Sequence, residues 1–207
     1  LQKIPVTLLT GFLGSGKTTV LNQLVRQPEL ANTIVIINEF GEIPIDHFLV
    51  AHSTENLIMD MSSGCLCCAI RGDLVKTLRS IHWRFSNQGQ RRFNRVMIET
   101  TGLADPVPII QTLMTDPQLT KYYQLDGIIS TIDLSNAQHT LDHHIEARKQ
   151  AAMADCLILT KADLVSTQEQ QIIQNRLFKL NIGANRHLIM NGHINAKHLL
   201  NLVRRPS

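Results

Sequence analysis

The feature that most constrains this chain is an apolar run that stops on a glycine-rich octet. Ile4–Leu9 reads as a buried strand. Gly11-Phe12-Leu13-Gly14-Ser15-Gly16-Lys17-Thr18 follows, fitting G-x-x-x-x-G-K-[ST] at every fixed position, and a helical pattern runs over Lys17–Gln27. Glycines let the backbone curl so that successive N–H groups point inward at an anion. A helix beginning near Lys17 adds the positive end of its dipole. Lys17 is then expected to reach the β- and γ-phosphates of a nucleoside triphosphate, and the Thr18 hydroxyl to ligate Mg²⁺. The competing reading is a chance glycine-rich turn between a strand and a helix. The same stretch superficially resembles a secretion signal, but cleavage near Ser15 would cut through the phosphate motif.

The rest of the chain alternates in the same way. Strand patterns cover Thr33–Asn38, Arg95–Glu99, Gly127–Ile132, Asp155–Leu159 and His187–Met190. Helical patterns cover Arg71–Phe85, Pro106–Met114, Asn136–Ala152, Ser166–Leu180 and Ala196–Val203. Continuous β-branched runs such as V-I-I mark strands buried on both faces. The fold expected is α/β, a mostly parallel sheet with helices on both faces, binding its ligand beyond the carboxyl ends of the strands. At 207 residues this suits one domain, with or without a small appendage.

Composition excludes other classes. A net charge of +3, with six Phe, two Tyr and one Trp, gives neither an electrostatic footprint nor stacking platforms for nucleic acid. The basic cluster Arg91, Arg92, Arg95 reads as a solvated loop. No apolar run approaches the ~20 residues a membrane span needs. Three of the four cysteines fall between Cys65 and Cys68, which suits metal or redox chemistry in the cytoplasm better than a disulfide framework.

Two further motifs follow strands. Glu99-Thr100-Thr101-Gly102 places a carboxylate at a strand end, suited to holding Mg²⁺ through water while the Gly amide senses the γ-phosphate; alternatively Glu99 faces solvent. Lys17, Thr18 and Glu99 are the expected catalytic set. Thr160-Lys161-Ala162-Asp163 resembles the Asn-Lys-x-Asp guanine motif. The Asp163 carboxylate can accept from the N1–H and exocyclic amine of guanine, donors that adenine lacks. The Lys161 stem can lie across the base. Thr160 departs from the pattern, since it cannot supply the amide that usually ties this loop to the phosphate loop. Met190-Asn191-Gly192 is a further candidate for base contacts.

Gly64-Cys65-Leu66-Cys67-Cys68 supplies three soft ligands for Zn²⁺ or a similar ion. Cys65 and Cys67 can chelate one ion. Adding the adjacent Cys68 strains the backbone, so a ligand from elsewhere is needed, and Glu42 in Asn38-Glu39-Phe40-Gly41-Glu42 is preferred. An incomplete site suits metal that is handed on. Buried packing or redox-active thiols are the alternatives. Cys156, inside an apolar run, reads as packing. His139, His143 and Glu146 share a helical face and form a weaker candidate second metal site.

In this order, the phosphate motif, N-E-F-G-E, G-C-L-C-C, E-T-T-G-L-A-D-P and T-K-A-D resemble the CobW-type family of metal-homeostasis GTPases, from Val6 to about Leu200. The resemblance implies a SIMIBI-type GTPase domain over 1–207. It further implies a zinc metallochaperone that passes metal from C-x-C-C to a client metalloprotein as GTP is hydrolysed. Carried over, phosphate binding falls on Gly11 through Thr19, base recognition on Lys161 and Asp163, and zinc on Cys65, Cys67 and Cys68 with Glu42 nearby. The family's usual C-terminal domain is not part of these 207 residues. Expected ligands are GTP or GDP, Mg²⁺ and Zn²⁺, with Co²⁺ or Ni²⁺ as substitutes. Expected partners are the client and, as an option, a second copy of the chain, with no nucleic acid or membrane. Two other functions remain open: a P-loop kinase or ligase using ATP on a small metabolite, and a nucleotide-gated metal store or sensor.

Overall fold

A computed structural model of the chain describes residues 2–37, 58–60, 69–87, 90–91 and 93–202. Seven strands form one parallel sheet: β1 (Ile4–Gly11), β2 (Thr33–Ile37), β3 (Ile58–Asp60), β6 (Arg95–Glu99), β7 (Tyr123–Asp133), β8 (Cys156–Thr160) and β9 (Asn185–Leu188). Their order is β3-β2-β6-β1-β7-β8-β9, and β4 (Ser86–Asn87) with β5 (Gln90–Arg91) forms a separate antiparallel pair. The helices are α1 (Lys17–Leu24), α2 (Ala69–Arg84), α3 (Val107–Thr115), α4 (Pro117–Thr120), α5 (Ala137–His143), α6 (Ile145–Met153) and α7 (Thr167–Leu180). The expected α/β architecture is therefore observed.

The period-two geometry of a strand explains the two cores. Val6 and Leu8 of β1, with Ile34 and Ile36 of β2, pack on one face with Leu78, Ile109, Leu141, Ala151 and Leu177 of the helices. Leu9, Val35 and Ile37 point the other way, towards Val20, Leu21 and Leu24 of α1 and the turn at Ala196–Leu199. Central strands buried on both faces need apolar residues at consecutive positions, hence T-I-V-I-I in β2. Pro5 is tolerated in central β1 because it precedes the pairing with β6, which begins at Val6.

Several expectations change. The helix expected over Asn136–Ala152 breaks at His144, whose extended backbone (φ −121°, ψ 113°) separates α5 from α6. Its ring packs against Phe12, with centroids 4.4 Å apart, a tertiary contact that helical periodicity does not report. Ala196–Val203 shortens to a 3₁₀ turn, Ala196–Leu199, with Asn195 accepting from Lys197 N at 2.9 Å and Asn201 at φ +55° beyond it. Arg95 is not solvated: it is buried at the start of β6, pairs with Asp126 and donates to Thr7 Oγ1 at 3.0 Å. Asp126 reaches it because β7 carries an extra residue there, with the register passing from Val6↔Leu125 to Thr7↔Gly127.

Candidate nucleotide-binding site

The parallel register brings the carboxyl ends of β1, β6, β7 and β8 to one edge. There Gly11, Gly14 and Gly16 adopt φ of +143°, +70° and +89°, the left-handed region that favours glycine. At Gly11 the need is also steric, since a Cβ would stand 2.2 Å from Thr131 Oγ1 and 2.6 Å from its carbonyl. Gly16 caps α1 without a side-chain hydrogen bond. The first amides of α1 are thus not taken by a side chain of the cap residue, an arrangement that suits an anion. Lys17 Nζ donates to Phe12 O at 3.3 Å, folded over the loop. Ser15 and Thr131 share a hydroxyl–hydroxyl bond of 2.6 Å that fastens the loop to β7.

Glu99 ends β6 beside Leu9 of β1 and is only 3% exposed. Its Oε1 accepts from Thr18 Oγ1 at 3.0 Å. The solvent-facing alternative for Glu99 therefore does not hold. Beyond it, Thr100 N donates to Leu9 O and Thr100 Oγ1 to Thr10 Oγ1, both at 2.9 Å, prolonging the strand contact past the sheet. Gly102 then abuts the phosphate loop so closely that a Cβ would lie 2.7 Å from Leu13 N. Helix α6 backs this segment. Gln150 donates to Gly102 O at 3.1 Å and Ala104 O at 3.0 Å, and Lys149 pairs with Asp105 at 2.8 Å. Burial pushes the Asp105 pKa up, but the Lys149 ammonium and the Val107 N–H outweigh it and hold the carboxyl below its ordinary value.

The base end follows β8. Thr160 was expected to leave its loop untied; instead its hydroxyl lies 2.9 Å from Ser15 O and 3.2 Å from Ile132 O. A hydroxyl donor reaches the loop carbonyl as an asparagine amide would. Lys161 sits at φ +56° and its ammonium pairs with Asp133 Oδ2 at 2.6 Å. Asp163 is exposed on the short 3₁₀ turn Ala162–Leu164. The 190–192 turn packs on the start of α1, where a Cβ on Gly192 would be 2.9 Å from Thr19 Cγ2. A cavity of about 210 Å³ lies along the phosphate loop, lined by Phe12, Leu13, Ser15, Thr131, Asp133 and His144 among others.

The structure brings together the phosphate-loop residues Gly11 through Thr19 with Glu99, and sets Lys161 beside them. Cys65, Cys67, Cys68, Glu39 and Glu42 lie outside the described residues. Among the described residues no group of three His, Cys, Asp or Glu side chains is placed to hold a metal. His139 and His143 stack, with centroids 4.3 Å apart, and the break at His144 removes Glu146 from their helical face. Cys156 is fully buried, and desolvation with the nearby Asp155 charge pushes its thiol to about 12, which fits packing and not ligation. Sequence reasoning missed Thr131, Asp133 and Gln150. The first two end a strand, where ligand residues of such sheets gather. Gln150 is a polar residue within an alanine-rich helix.

A family model described as "CobW/HypB/UreG, nucleotide-binding domain" matches residues 5–187. The chain belongs to this family of P-loop GTPases. Among CobW-type relatives it is 35% identical over 201 residues to the zinc chaperone YjiA of Escherichia coli K12, covering 97% of this chain and 62% of YjiA. It is 35% identical over 187 residues to zinc-regulated GTPase metalloprotein activator 1 of Schizosaccharomyces pombe, covering 87% of this chain and 44% of that protein. The crystal structure of Zn(II)-bound YjiA GTPase from E. coli superposes with a TM-score of 0.72 at 30% identity, covering 98% of this chain and 62% of that one. The hydrogenase maturation factor HypB of Archaeoglobus fulgidus shares the fold, with a TM-score of 0.60, 14% identity, and coverage of 97% and 85%. The chain thus spans less than two thirds of the CobW-type relatives it matches. Among the described residues no helix is long and apolar enough to cross a membrane.

Proposed function

We propose that residues 1–207 form the GTP-hydrolysing domain of a cytoplasmic zinc metallochaperone. The observation that carries this reading is the Thr18–Glu99 contact, a buried carboxylate held on the P-loop hydroxyl at 3.0 Å. The triphosphate lies over the amides of Gly11 through Thr18, Lys17 swings from Phe12 O onto the β- and γ-phosphates, and Asp163 selects guanine. Thr19, one residue further, borders the same cradle. Water attacks the γ-phosphorus, its new P–O bond replacing the bridging bond to the β-phosphate, to give GDP and inorganic phosphate. Thr18 Oγ1 and Glu99 are hard oxygen donors suited to Mg²⁺, which when bound supplies neutralisation of phosphate charge.

Zinc is cargo, and Cys65, Cys67 and Cys68 with Glu42 are the residues proposed to carry it. The thiolate chemistry of C-x-C-C supports this, as do relatives named zinc chaperone and zinc-regulated GTPase metalloprotein activator. Departure of the γ-phosphate weakens the grip on zinc, which passes to a client metalloprotein. Two variants test the two halves separately. Lys17→Ala is expected to lower GTP turnover by roughly 10³-fold with zinc affinity kept. Cys67→Ala is expected to lose at least about 10-fold in zinc affinity, measured by chelator competition, with basal turnover kept. Unchanged zinc affinity in the Cys67 variant removes the chaperone assignment. Equal competition by ATP and GTP favours a kinase or ligase, and tight zinc binding without turnover favours a store or sensor.

A further inference from the structure

Helix α6 touches both the phosphate loop and the Gly102 segment. At its N-cap, His144 packs on Phe12 of the phosphate loop. One and a half turns on, Gln150 is fully buried and spends both hydrogens of one amide on the carbonyls of Gly102 and Ala104, at 3.1 and 3.0 Å. These two donated bonds fix which end of the amide is nitrogen. The exposed Lys149–Asp105 pair, 2.8 Å apart, adds a third tie between the same helix and the same segment. Gly102 in turn has no slack against Leu13.

We propose that Gln150 is a positioning residue that holds the Gly102 segment where its backbone amide can read the γ-phosphate. This rests on the reading of the site as a GTPase. By gripping the carbonyls on either side of Leu103, Gln150 fixes the 102–103 and 104–105 peptide planes, and Ala104 N, donating to Thr101 O at 3.2 Å, ties the turn to the plane that carries the Gly102 N–H. Gln150 Oε1 is buried and accepts no hydrogen bond from a described residue, and Thr101 Oγ1, one residue before Gly102, is likewise buried without one. The hydrogen bonds of the amide are therefore those of its nitrogen. An apolar residue of equal length would fill the same space but leave the carbonyls of Gly102 and Ala104 without these donors. The Gly102 segment carries the γ-phosphate signal, so Gln150 bears on triphosphate recognition and turnover, and leaves the diphosphate alone.

The test compares residues 1–207 with Gln150→Met, which keeps length and volume but donates nothing, and Gln150→Glu, which sets an ionised acceptor against two carbonyls. Affinities for GDP and for GTPγS are measured by fluorescence titration, and kcat and KM for GTP by phosphate release. Gln150→Met is expected to lower kcat about 10-fold and the preference for GTPγS over GDP about 10-fold, with GDP affinity within about twofold of wild type. Gln150→Glu is expected to lose more, and to recover in part as the pH is lowered and its carboxyl regains a donor. Equal losses of GDP and GTPγS affinity, or an unchanged kcat and preference in the Met variant, would overturn the proposal. If Gln150→Met melts below the assay temperature, the Glu variant decides on the same measurements. Wild-type protein that binds GTPγS without turning GTP over removes the hydrolysis reading instead, while the binding preference still judges Gln150.

Discussion

The two ends of the nucleotide site are built differently. At the phosphate end, contacts from β6, β7, β8 and the segment after β6 converge on the octet that follows β1: Ser15 to Thr131, Thr18 to Glu99, Ser15 O to Thr160, and Gly102 pressed on Leu13. At the base end, Asp163 stands exposed on a single 3₁₀ turn and Met190 is 58% exposed. On the proposed reading, a triphosphate would meet a cradle enclosed by several strands, whereas a base would meet a more open surface. On that reading, grip comes from one end and discrimination from the other.

The comparison can be broken most sharply at Glu99. Glu99→Gln keeps the shape and an acceptor for Thr18 but removes the buried charge, and turnover is expected to fall about 10²-fold. Retained turnover in a steady-state assay would show that the phosphate end does not depend on that carboxylate. Asp163→Ala is expected to erase most of the preference for GTP over ATP, a change of roughly 30-fold in the ratio of affinities, while GTP hydrolysis at saturation persists. Should ATP still be rejected, base selection lies elsewhere, with the 190–192 turn next to be examined. The smallest effect is expected where the two ends meet. Thr160→Val removes one hydroxyl tie to the phosphate loop, and GTP and GDP affinity should fall together by about fivefold, read by titration. A larger loss for one nucleotide than the other would place Thr160 in phosphate sensing.

Much of the phosphate end was legible because its signals are local. The octet Gly11 to Thr18 lies within one strand–loop–helix unit, and apolar residues at consecutive positions mark β1, β2, β6, β7 and β8 as strands covered on both sides. β9 was placed two residues too late, since N-R-H-L carries little apolar signal at a half-exposed edge. β3 and the β4–β5 pair were missed, being two or three residues long. What stayed hidden depends on partners distant in the chain. Nothing near Arg95 announces Asp126, 31 residues on, and nothing near His144 announces Phe12. The tie from Thr160 to Ser15, 145 residues apart, is invisible to a motif that asks for asparagine at that position. Periodicity reports which face of an element is covered; it does not report what the polar atoms on that face reach.

One contact sets how the whole site can respond. Where Gly102 meets Leu13 there is no room for a side chain on the glycine: a Cβ would stand 2.6 Å from Leu13 Cδ2, 2.7 Å from its N and 2.8 Å from its Cα, so the contact involves the Leu13 backbone as well as its side chain. A shift of a few tenths of an ångström in one must be passed to the other as in meshed teeth. The loop proposed to wrap the nucleotide and the loop after β6 are therefore expected to move together.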